Sequence, residues 1–230
     1  MRKPRKRNLT LGLLFLSATA PLLLAQSPSE RPWPEKMAEF EEADRQAPPQ
    51  PGGVVFVGSS SIRKWDLPRW FPDLSGPVLN RGFGGSEIEH SIAEAPLLVL
   101  RHKPRAIVLY AGDNDIDNGK SAERVAADFA DFVRTVRAEL PETMLFYIAI
   151  KPSTARWDHA DEMREANRAI QSRCEADPTL RFVDIWTPML GADGKPREAL
   201  LADDGLHLTD AGYELWSGIV REALETQWLD

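Results

Sequence analysis

The chain is poor in the residue types that staple small folds or collect metal ions. Cys174 is the only cysteine among 230 residues, so no disulfide can form within the chain. Its helical register with Met163, Ala166 and Ile170 predicts a buried apolar side chain rather than a reactive thiol. The chain has four histidines, and no two have the close spacing typical of a zinc site, so we expect no metal centre.

Basic residues are also in deficit. Acidic side chains outnumber basic ones by 35 to 28, which gives a formal net charge of −7. Residues 1–25 hold five basic groups and no acidic group. Without them, the formal net charge of the chain is −7 − 5 = −12. An acidic body of this kind argues against nucleic acid and against anionic membrane surfaces as partners.

The N-terminus has the pattern of an export signal. A basic stretch, Arg2–Arg7, precedes a mostly apolar run, Leu9–Leu24, and then Ala25. This pattern predicts a signal peptide over residues 1–25 and an exported protein, periplasmic or extracellular. An uncleaved anchor is the alternative, because Leu23 is larger than the residue preferred there in a cleavage site. The apolar run is short and interrupted for a membrane span.

The rest of the chain is long enough for one domain with a sizeable core. Residues 26–52 are rich in proline and are expected to form an exposed lead-in with one helix near Glu35–Arg45. Residues 53–230 alternate short β-rich runs with amphipathic helical patterns. The strand candidates are Val54–Val57, Val78–Arg81, Ala106–Ala111, Met144–Ile150 and Arg181–Ile185.

These strand candidates are almost continuously apolar, as parallel strands covered on both faces are. The interpretation is an α/β fold, a three-layer α/β/α sandwich with a parallel five-stranded sheet. Functional residues in such sheets lie at the carboxyl ends of the strands. The segments that could carry chemistry all follow strands or lie in loops.

The first such segment is Gly58-Ser59-Ser60-Ser61-Ile62, directly after the first strand. A serine there can face solvent while the chain turns into a helix. It is not the Gly-x-Ser-x-Gly elbow of α/β-hydrolases, because Ile62 replaces the second glycine. A serine-rich turn that caps a helix is the alternative interpretation.

The second segment is Asn80-Arg81-Gly82-Phe83-Gly84-Gly85-Ser86. Ser86-Glu87-Ile88-Glu89 resembles a capping box, so a helix is expected to begin here, and its glycines and free amides suit an anion. A nucleotide phosphate loop would compete for this segment. The spacing does not fit the P-loop pattern, and Glu87 replaces the third glycine of the dinucleotide pattern.

Two further segments complete the set. Gly112-Asp113-Asn114-Asp115 ends the third strand, and the Asn114 amide could donate to an oxyanion or belong to an ordinary polar turn. Asp204-Gly205-Leu206-His207 precedes Thr209, a plausible N-cap of the last helix. Asp204 could orient the His207 imidazole as a general base, or both could belong to a solvated turn.

Together, and in this order, the four segments resemble the sequence blocks of the SGNH/GDSL hydrolase family over nearly all of residues 53–225. The resemblance implies a flavodoxin-like fold and a carboxylic ester hydrolase with no cofactor. By position it implies Ser60 as nucleophile and oxyanion donor, Asp204 and His207 as its partners, and Asn114 as a further oxyanion donor. It also implies a backbone donor at Gly85, with Gly84 as an alternative.

The chain departs from the family pattern at one place. The family's Gly-Asp-Ser is Gly58-Ser59-Ser60 here, a variant similar to bacterial members of the platelet-activating-factor acetylhydrolase type. That likeness implies short acyl or acetyl esters as substrates. Seven tryptophans, including Trp65 and Trp157, could stack on sugar rings of an O-acetylated carbohydrate or belong to the core. The rival function is a non-catalytic, cell-surface glycan-binding protein on the same fold.

Overall fold

The computed structural model describes Met1 and residues 33–228 of the chain. The predicted signal peptide lies outside the described residues. The unit that carries the sheet begins at Glu35. Its helices are α1 Pro34–Gln46, α2 Ser60–Arg63, α3 Leu67–Trp70, α4 Ile88–Ala93, α5 Ala95–Leu98, α6 Asp113–Asp117, α7 Ala122–Glu139, α8 Ala160–Glu175 and α9 Asp210–Trp228.

Five parallel strands form one sheet in the order β2-β1-β3-β4-β5, which confirms the predicted fold class. This order is the flavodoxin-like arrangement, in which ligands bind beyond the carboxyl ends of the strands. The strands are β1 Val54–Gly58, β2 Val78–Gly82, β3 Ala106–Tyr110, β4 Met144–Ile148 and β5 Leu180–Val183.

All five strands fall where the sequence predicted them, with small differences at the ends. β4 stops at Ile148 rather than Ile150, because the side chain of Asn167 takes over the hydrogen bonding of the backbone there. Its Oδ1 accepts from the Ile150 amide at 2.8 Å, and its Nδ2 donates to the Ile150 carbonyl at 2.9 Å. A side chain from α8 thus replaces a strand partner.

The two faces of the sheet are covered by different helices. On one face, Trp216 of α9 is fully buried and packs against Tyr110 with ring centroids 4.9 Å apart. On the other face, Phe129 of α7 meets Tyr147 at 4.9 Å. Cys174 of α8 is buried as predicted, and burial raises the pKa of its thiol to about 12.

The lead-in is less exposed than the sequence suggested. Helix α1 buries Met37 and Phe40, and the Asp44 carboxylate pairs with the Arg81 guanidinium on β2. The amphipathic pattern of this helix therefore anchors it, and the expectation of an exposed segment is corrected for Glu35–Gln46. Within residues 33–228, no helix is long and apolar enough to cross a membrane.

The sheet register brings three strand ends to one edge. Gly58 lies opposite Gly82 on β2 and opposite Tyr110 on β3. The segments that follow β1, β2 and β3 therefore begin side by side, and they are the first three segments that the sequence singled out.

Candidate active site

The turn from β1 into α2 selects one serine out of three. Gly58 has φ +136°, and a Cβ on it would lie 1.9 Å from the Tyr110 carbonyl oxygen, so glycine is required where the chain leaves the sheet. Ser59 and Ser61 are only 1% and 2% exposed, whereas Ser60 is partly exposed as the first residue of α2. Of the three, only Ser60 is open to an incoming group.

Ser60 is hydrogen-bonded to the predicted imidazole. Its Oγ lies 3.0 Å from Nε2 of His207, although 147 positions separate the two residues in the chain. On the other side of the ring, Nδ1 of His207 lies 2.5 Å from Oδ2 of Asp204. The structure thus brings the three residues into the Ser–His–Asp order that a serine hydrolase uses.

The loop that carries Asp204 and His207 is shaped by the carboxylate itself. Oδ1 of Asp204 accepts from the backbone amides of Leu206 at 2.9 Å and His207 at 2.8 Å. The hydrogen bond with the His207 side chain, followed by these two backbone bonds, holds the pKa of Asp204 below its usual range. An ionised Asp204 can only accept, so His207 carries its proton on Nδ1 and presents the Nε2 lone pair to Ser60.

The helix after this loop begins as expected. Thr209 Oγ1 accepts from the Gly212 amide at 3.2 Å at the first turn of α9. The same hydroxyl donates to the Ala199 carbonyl at 2.8 Å, which ties the cap to the preceding turn. The His207 loop is therefore fixed at both ends.

The segment after β2 holds the backbone donors. Gly85 has φ +77°, a conformation that favours glycine. Within residues 33–228, its amide has no hydrogen-bond partner. The Gly85 amide lies in the loop that leads into helix α4, which starts at Ile88. The amide of Ser60 lies in the first turn of α2, where a helix leaves N–H groups unpaired.

The predicted capping box is displaced by one residue. Glu87, not Ser86, is the N-cap of α4, and its amide donates to Nδ1 of His90 at 3.0 Å. The side chain of His90 thus does what Glu89 was expected to do. The Ser86 hydroxyl is buried and has no hydrogen-bond partner among the described residues.

Asn114, on α6 after β3, lies against the Gly85 segment. Its Nδ2 donates to the Ser86 carbonyl at 2.9 Å, and its Oδ1 accepts from Arg156 at 3.0 Å. A primary amide has two N–H donors, so this bond uses one and leaves one for another acceptor. The structure therefore places both predicted donors, Gly85 and Asn114, on one side of the strand ends.

Sequence reasoning missed a group of charged residues beneath Asn114. Lys151 is 1% exposed, and its Nζ lies 2.8 Å from Oδ2 of Asp113. Oδ2 of Asp113 also accepts from the Tyr110 hydroxyl at 3.1 Å, and Arg156 completes the group. Despite desolvation, Lys151 and then Arg156 hold the pKa of Asp113 below its usual value. The sequence did hold one signal for this group: Lys151 directly follows the apolar run Met144–Ile150, which was predicted as a strand.

The two tryptophans considered as sugar contacts have different surroundings. Trp65 is 2% exposed and donates to Ser217 Oγ at 3.0 Å, so it belongs to the core and cannot stack on a substrate. Trp157 is partly exposed, lies parallel to Trp186 at 6.2 Å, and has the Lys195 ammonium 4.8 Å from its ring centre. Of this pair, only Trp157 keeps part of its side chain exposed, and the Arg164 guanidinium also lies 5.4 Å from its ring centre.

Among the described residues, no three His, Cys, Asp or Glu side chains are arranged to hold a metal ion. His207 has a carboxylate on one nitrogen and a hydroxyl on the other. The chemistry that the arrangement offers is proton transfer between an alcohol and an imidazole, with unpaired N–H groups on the segments that follow the neighbouring strands β2 and β3.

Comparison with known proteins agrees with this geometry. A sequence model of the GDSL-like Lipase/Acylhydrolase family matches residues 57–215, more than half of the chain. The chain belongs to this family of acyl-ester hydrolases and is a carboxylic ester hydrolase. No curated protein matches it.

Solved structures show the same fold at low sequence identity. A candidate platelet activating factor from Streptococcus pneumoniae has TM-score 0.74 and 20% identity, covering 83% of this chain and 91% of its own. A GDSL-like lipase from Bacteroides thetaiotaomicron has TM-score 0.71 and 20% identity, covering 83% and 99%. A catalytic mutant of an acetylxylan esterase from Geobacillus stearothermophilus has TM-score 0.61 and 15% identity, covering 76% and 94%.

Proposed function

We propose that the protein is an exported serine esterase that hydrolyses short acyl or acetyl esters. The observation that carries the proposal is the hydrogen-bonded chain from Ser60 through His207 to Asp204. Oγ of Ser60 lies 3.0 Å from Nε2 of His207, and Nδ1 of His207 lies 2.5 Å from Oδ2 of Asp204. The unpaired amide of Gly85 and the second N–H of Asn114 add donors where a tetrahedral oxyanion would form.

In this mechanism the Ser60 oxygen attacks the ester carbonyl carbon while Nε2 of His207 takes the hydroxyl proton. The carbonyl oxygen becomes an oxyanion, which accepts from the amides of Ser60 and Gly85 and from Nδ2 of Asn114. The intermediate collapses, the C–O bond to the alcohol breaks, and His207 gives its proton to the leaving oxygen. Water, deprotonated by the same imidazole, then attacks the acyl carbon. The bond to the Ser60 oxygen breaks, that oxygen takes the proton back from His207, and the acid is released.

Asp204 serves His207 in both steps. As the imidazole takes a proton it becomes a cation, and an ionised carboxylate 2.5 Å from Nδ1 stabilises that charge. The two backbone amides on Oδ1 keep the carboxylate turned toward the ring. The hydrogen bond with the His207 side chain, then those from the two backbone amides, hold the pKa of Asp204 below its usual range, so the carboxylate stays ionised near neutral pH.

Two observations support a short acyl group. Apart from Met1, no large hydrophobic side chain among the described residues is exposed, so the described surface offers no apolar lid for a long chain. An acetylxylan esterase is among the proteins of similar fold, which suggests an acetylated sugar as one substrate to try. Trp157 is the side chain that could contact such a sugar.

Substrate class is tested with p-nitrophenyl esters from acetate to palmitate, beside acetylated xylan and simple acetylated sugars. We expect the highest kcat/KM on acetate or propionate and a steep fall with chain length. Equal or better activity on palmitate would refute the short-acyl assignment. Ser60→Ala serves as the control for contaminating esterases.

The rival function, glycan binding without catalysis, predicts a different result. A fluorophosphonate forms a covalent bond only with an activated serine. Labelling of wild-type protein but not of Ser60→Ala supports the esterase, and absence of labelling together with glycan binding supports the rival. Export is tested by the mass and N-terminal sequence of the protein from cell fractions: loss of about the first 25 residues is expected.

A further inference from the structure

We propose that Arg156 is a positioning residue for the oxyanion donor Asn114, an inference that rests on the esterase function proposed above. Arg156 lies in the loop after β4, far in sequence from each of the four segments that suggested the site. Its Nη1 donates to Oδ1 of Asn114 at 3.0 Å, and its Nη2 lies 2.9 Å from Oδ2 of Asp117.

The two partners of Asn114 fix the direction of its amide. A guanidinium has only donors, so it must face the amide oxygen, and a backbone carbonyl has only lone pairs, so the Ser86 carbonyl must face the amide nitrogen. Without Arg156, only the Ser86 carbonyl would oppose a turn of the amide, and a turned amide would put its oxygen where the oxyanion needs a donor. The guanidinium therefore adds to the preference for the productive orientation.

The same contact strengthens the donor. A cation on Oδ1 draws electron density from the amide, which makes the remaining N–H of Asn114 a stronger hydrogen-bond donor. The side chain of Arg156 is only 13% exposed, so water screens this effect little. The planar fork of arginine reaches Asn114 and Asp117 at once, which a lysine ammonium cannot do with the same geometry.

Neutralisation of the buried Asp113 carboxylate does not account for this placement. The buried carboxylate of Asp113 already has Lys151 at 2.8 Å and the Tyr110 hydroxyl at 3.1 Å, whereas Arg156 lies 3.4 Å away. The shortest contacts of Arg156 go instead to Asn114 and Asp117. Neutralising the buried carboxylate is thus mainly the work of Lys151.

The loop that holds Arg156 also contacts the other half of the site. The Ala155 amide and the Thr154 hydroxyl both donate to the Gly205 carbonyl at 3.1 Å. Gly205 lies within the Asp204–His207 turn. One short segment therefore spans from the general-base loop to the oxyanion donor and sets their separation.

The test compares Arg156→Ala and Arg156→Lys with wild type on p-nitrophenyl acetate. Loss of a full oxyanion donor costs about 10²–10³ in kcat, so loss of its support should cost less, roughly 10- to 100-fold, with little change in KM. Arg156→Lys should fall between wild type and Arg156→Ala. The matched control is Arg134→Ala, which removes an exposed guanidinium of α7 that pairs with Asp131; it should leave kcat unchanged.

A double-mutant cycle separates positioning from a general effect on the fold. If Arg156 acts through Asn114, adding Arg156→Ala to Asn114→Ala should cost almost nothing further in kcat. Equal fold-losses in both backgrounds would overturn the proposal, as would wild-type kcat in Arg156→Ala. If Arg156→Ala lowers the melting temperature too far to assay, the same cycle is run with Arg156→Lys, and the same outcomes decide.

Comparison of Arg156→Ala with Ser60→Ala distinguishes failure of this inference from failure of the proposed function. If Ser60→Ala is inactive while Arg156→Ala keeps full kcat, the esterase mechanism stands and the role of Arg156 is wrong. If Ser60→Ala keeps the activity of wild type, the proposed function is wrong, and the inference falls with it.

Discussion

Replacement of Asn114 by alanine tests the oxyanion site at the residue whose contacts define it best. Its Nδ2 has one hydrogen on the Ser86 carbonyl at 2.9 Å, and the proposal assigns the second to the developing oxyanion. Removal of one oxyanion donor typically lowers kcat by about 10²–10³, or roughly 2.7–4 kcal/mol of transition-state stabilisation. Because the ground-state carbonyl is bonded more weakly, KM should change much less.

The substitution also removes a structural hydrogen bond and leaves Arg156 without an acceptor on Asn114. Lost and unsatisfied hydrogen bonds cost about 1–3 kcal/mol, which for a domain of this size lowers Tm by roughly 2–4 °C per kcal/mol. Both kcat and KM on p-nitrophenyl acetate should therefore be measured well below the Tm of the variant. Asn114→Asp is a second variant: it keeps the shape and replaces the donor with a negative charge, and it should be no better than alanine.

Asn118→Ala is the matched control for Asn114→Ala. Asn118 caps the same helix and donates from its amide to Oε1 of Glu87 at 2.7 Å, so its loss removes a comparable hydrogen bond from the same element. It should leave kcat close to that of wild type. If both variants lose kcat equally, or if Asn114→Ala raises KM at constant kcat, Asn114 is not an oxyanion donor.

Three further predictions concern protons. His207→Ala should lower kcat far more than Asp204→Ala. Water can partly replace Asp204 in orienting the His207 ring, but nothing replaces the imidazole as the base; equal losses would contradict this. Activity should fall in acid, because a protonated imidazole cannot take the Ser60 proton, and should be unaffected by EDTA; inactivation by EDTA that Zn²⁺ reverses would favour a metal-assisted reaction. Burial raises the pKa of Asp115 from 3.8 to about 6, against the pull of Lys120, so the folded protein holds this proton more tightly than the unfolded chain. The free energy of unfolding should therefore fall as pH rises from about 3 to 7, by about 3 kcal/mol relative to Asp115→Asn; a rise relative to Asp115→Asn in urea titrations would refute it.

The sheet could be predicted from sequence because its signal is local. Each strand is a short, nearly continuous apolar run, and a strand buried on both faces must read that way. The ends were less exact, because Asn167 closes β4 with a contact that depends on α8 being in place. Helix α1 was predicted near Glu35–Arg45, but its exposure was misjudged for a related reason. Its anchors, the burial of Met37 and Phe40 and the pairing of Asp44 with Arg81, are contacts that sequence alone does not reveal.

The candidate site could be predicted in part. The order of the four segments predicted Ser60, Asn114 and His207 as site residues. The choice of Ser60 gains support from the burial of Ser59 and Ser61, which the sequence does not show. Arg156 gave no signal, because its role depends on how the loop after β4 returns to α6. Residues that act through another residue have no motif spacing of their own.

The most direct test of the central claim is the reaction of a fluorescent fluorophosphonate with wild-type protein and with the three serine variants, combined with p-nitrophenyl acetate turnover. We predict that Ser60→Ala loses both labelling and activity, and that Ser59→Ala and Ser61→Ala keep most of both. Peptide mapping of the labelled wild type should place the adduct on Ser60. Labelling and turnover that survive in Ser60→Ala, or that vanish only in Ser61→Ala, would contradict the account.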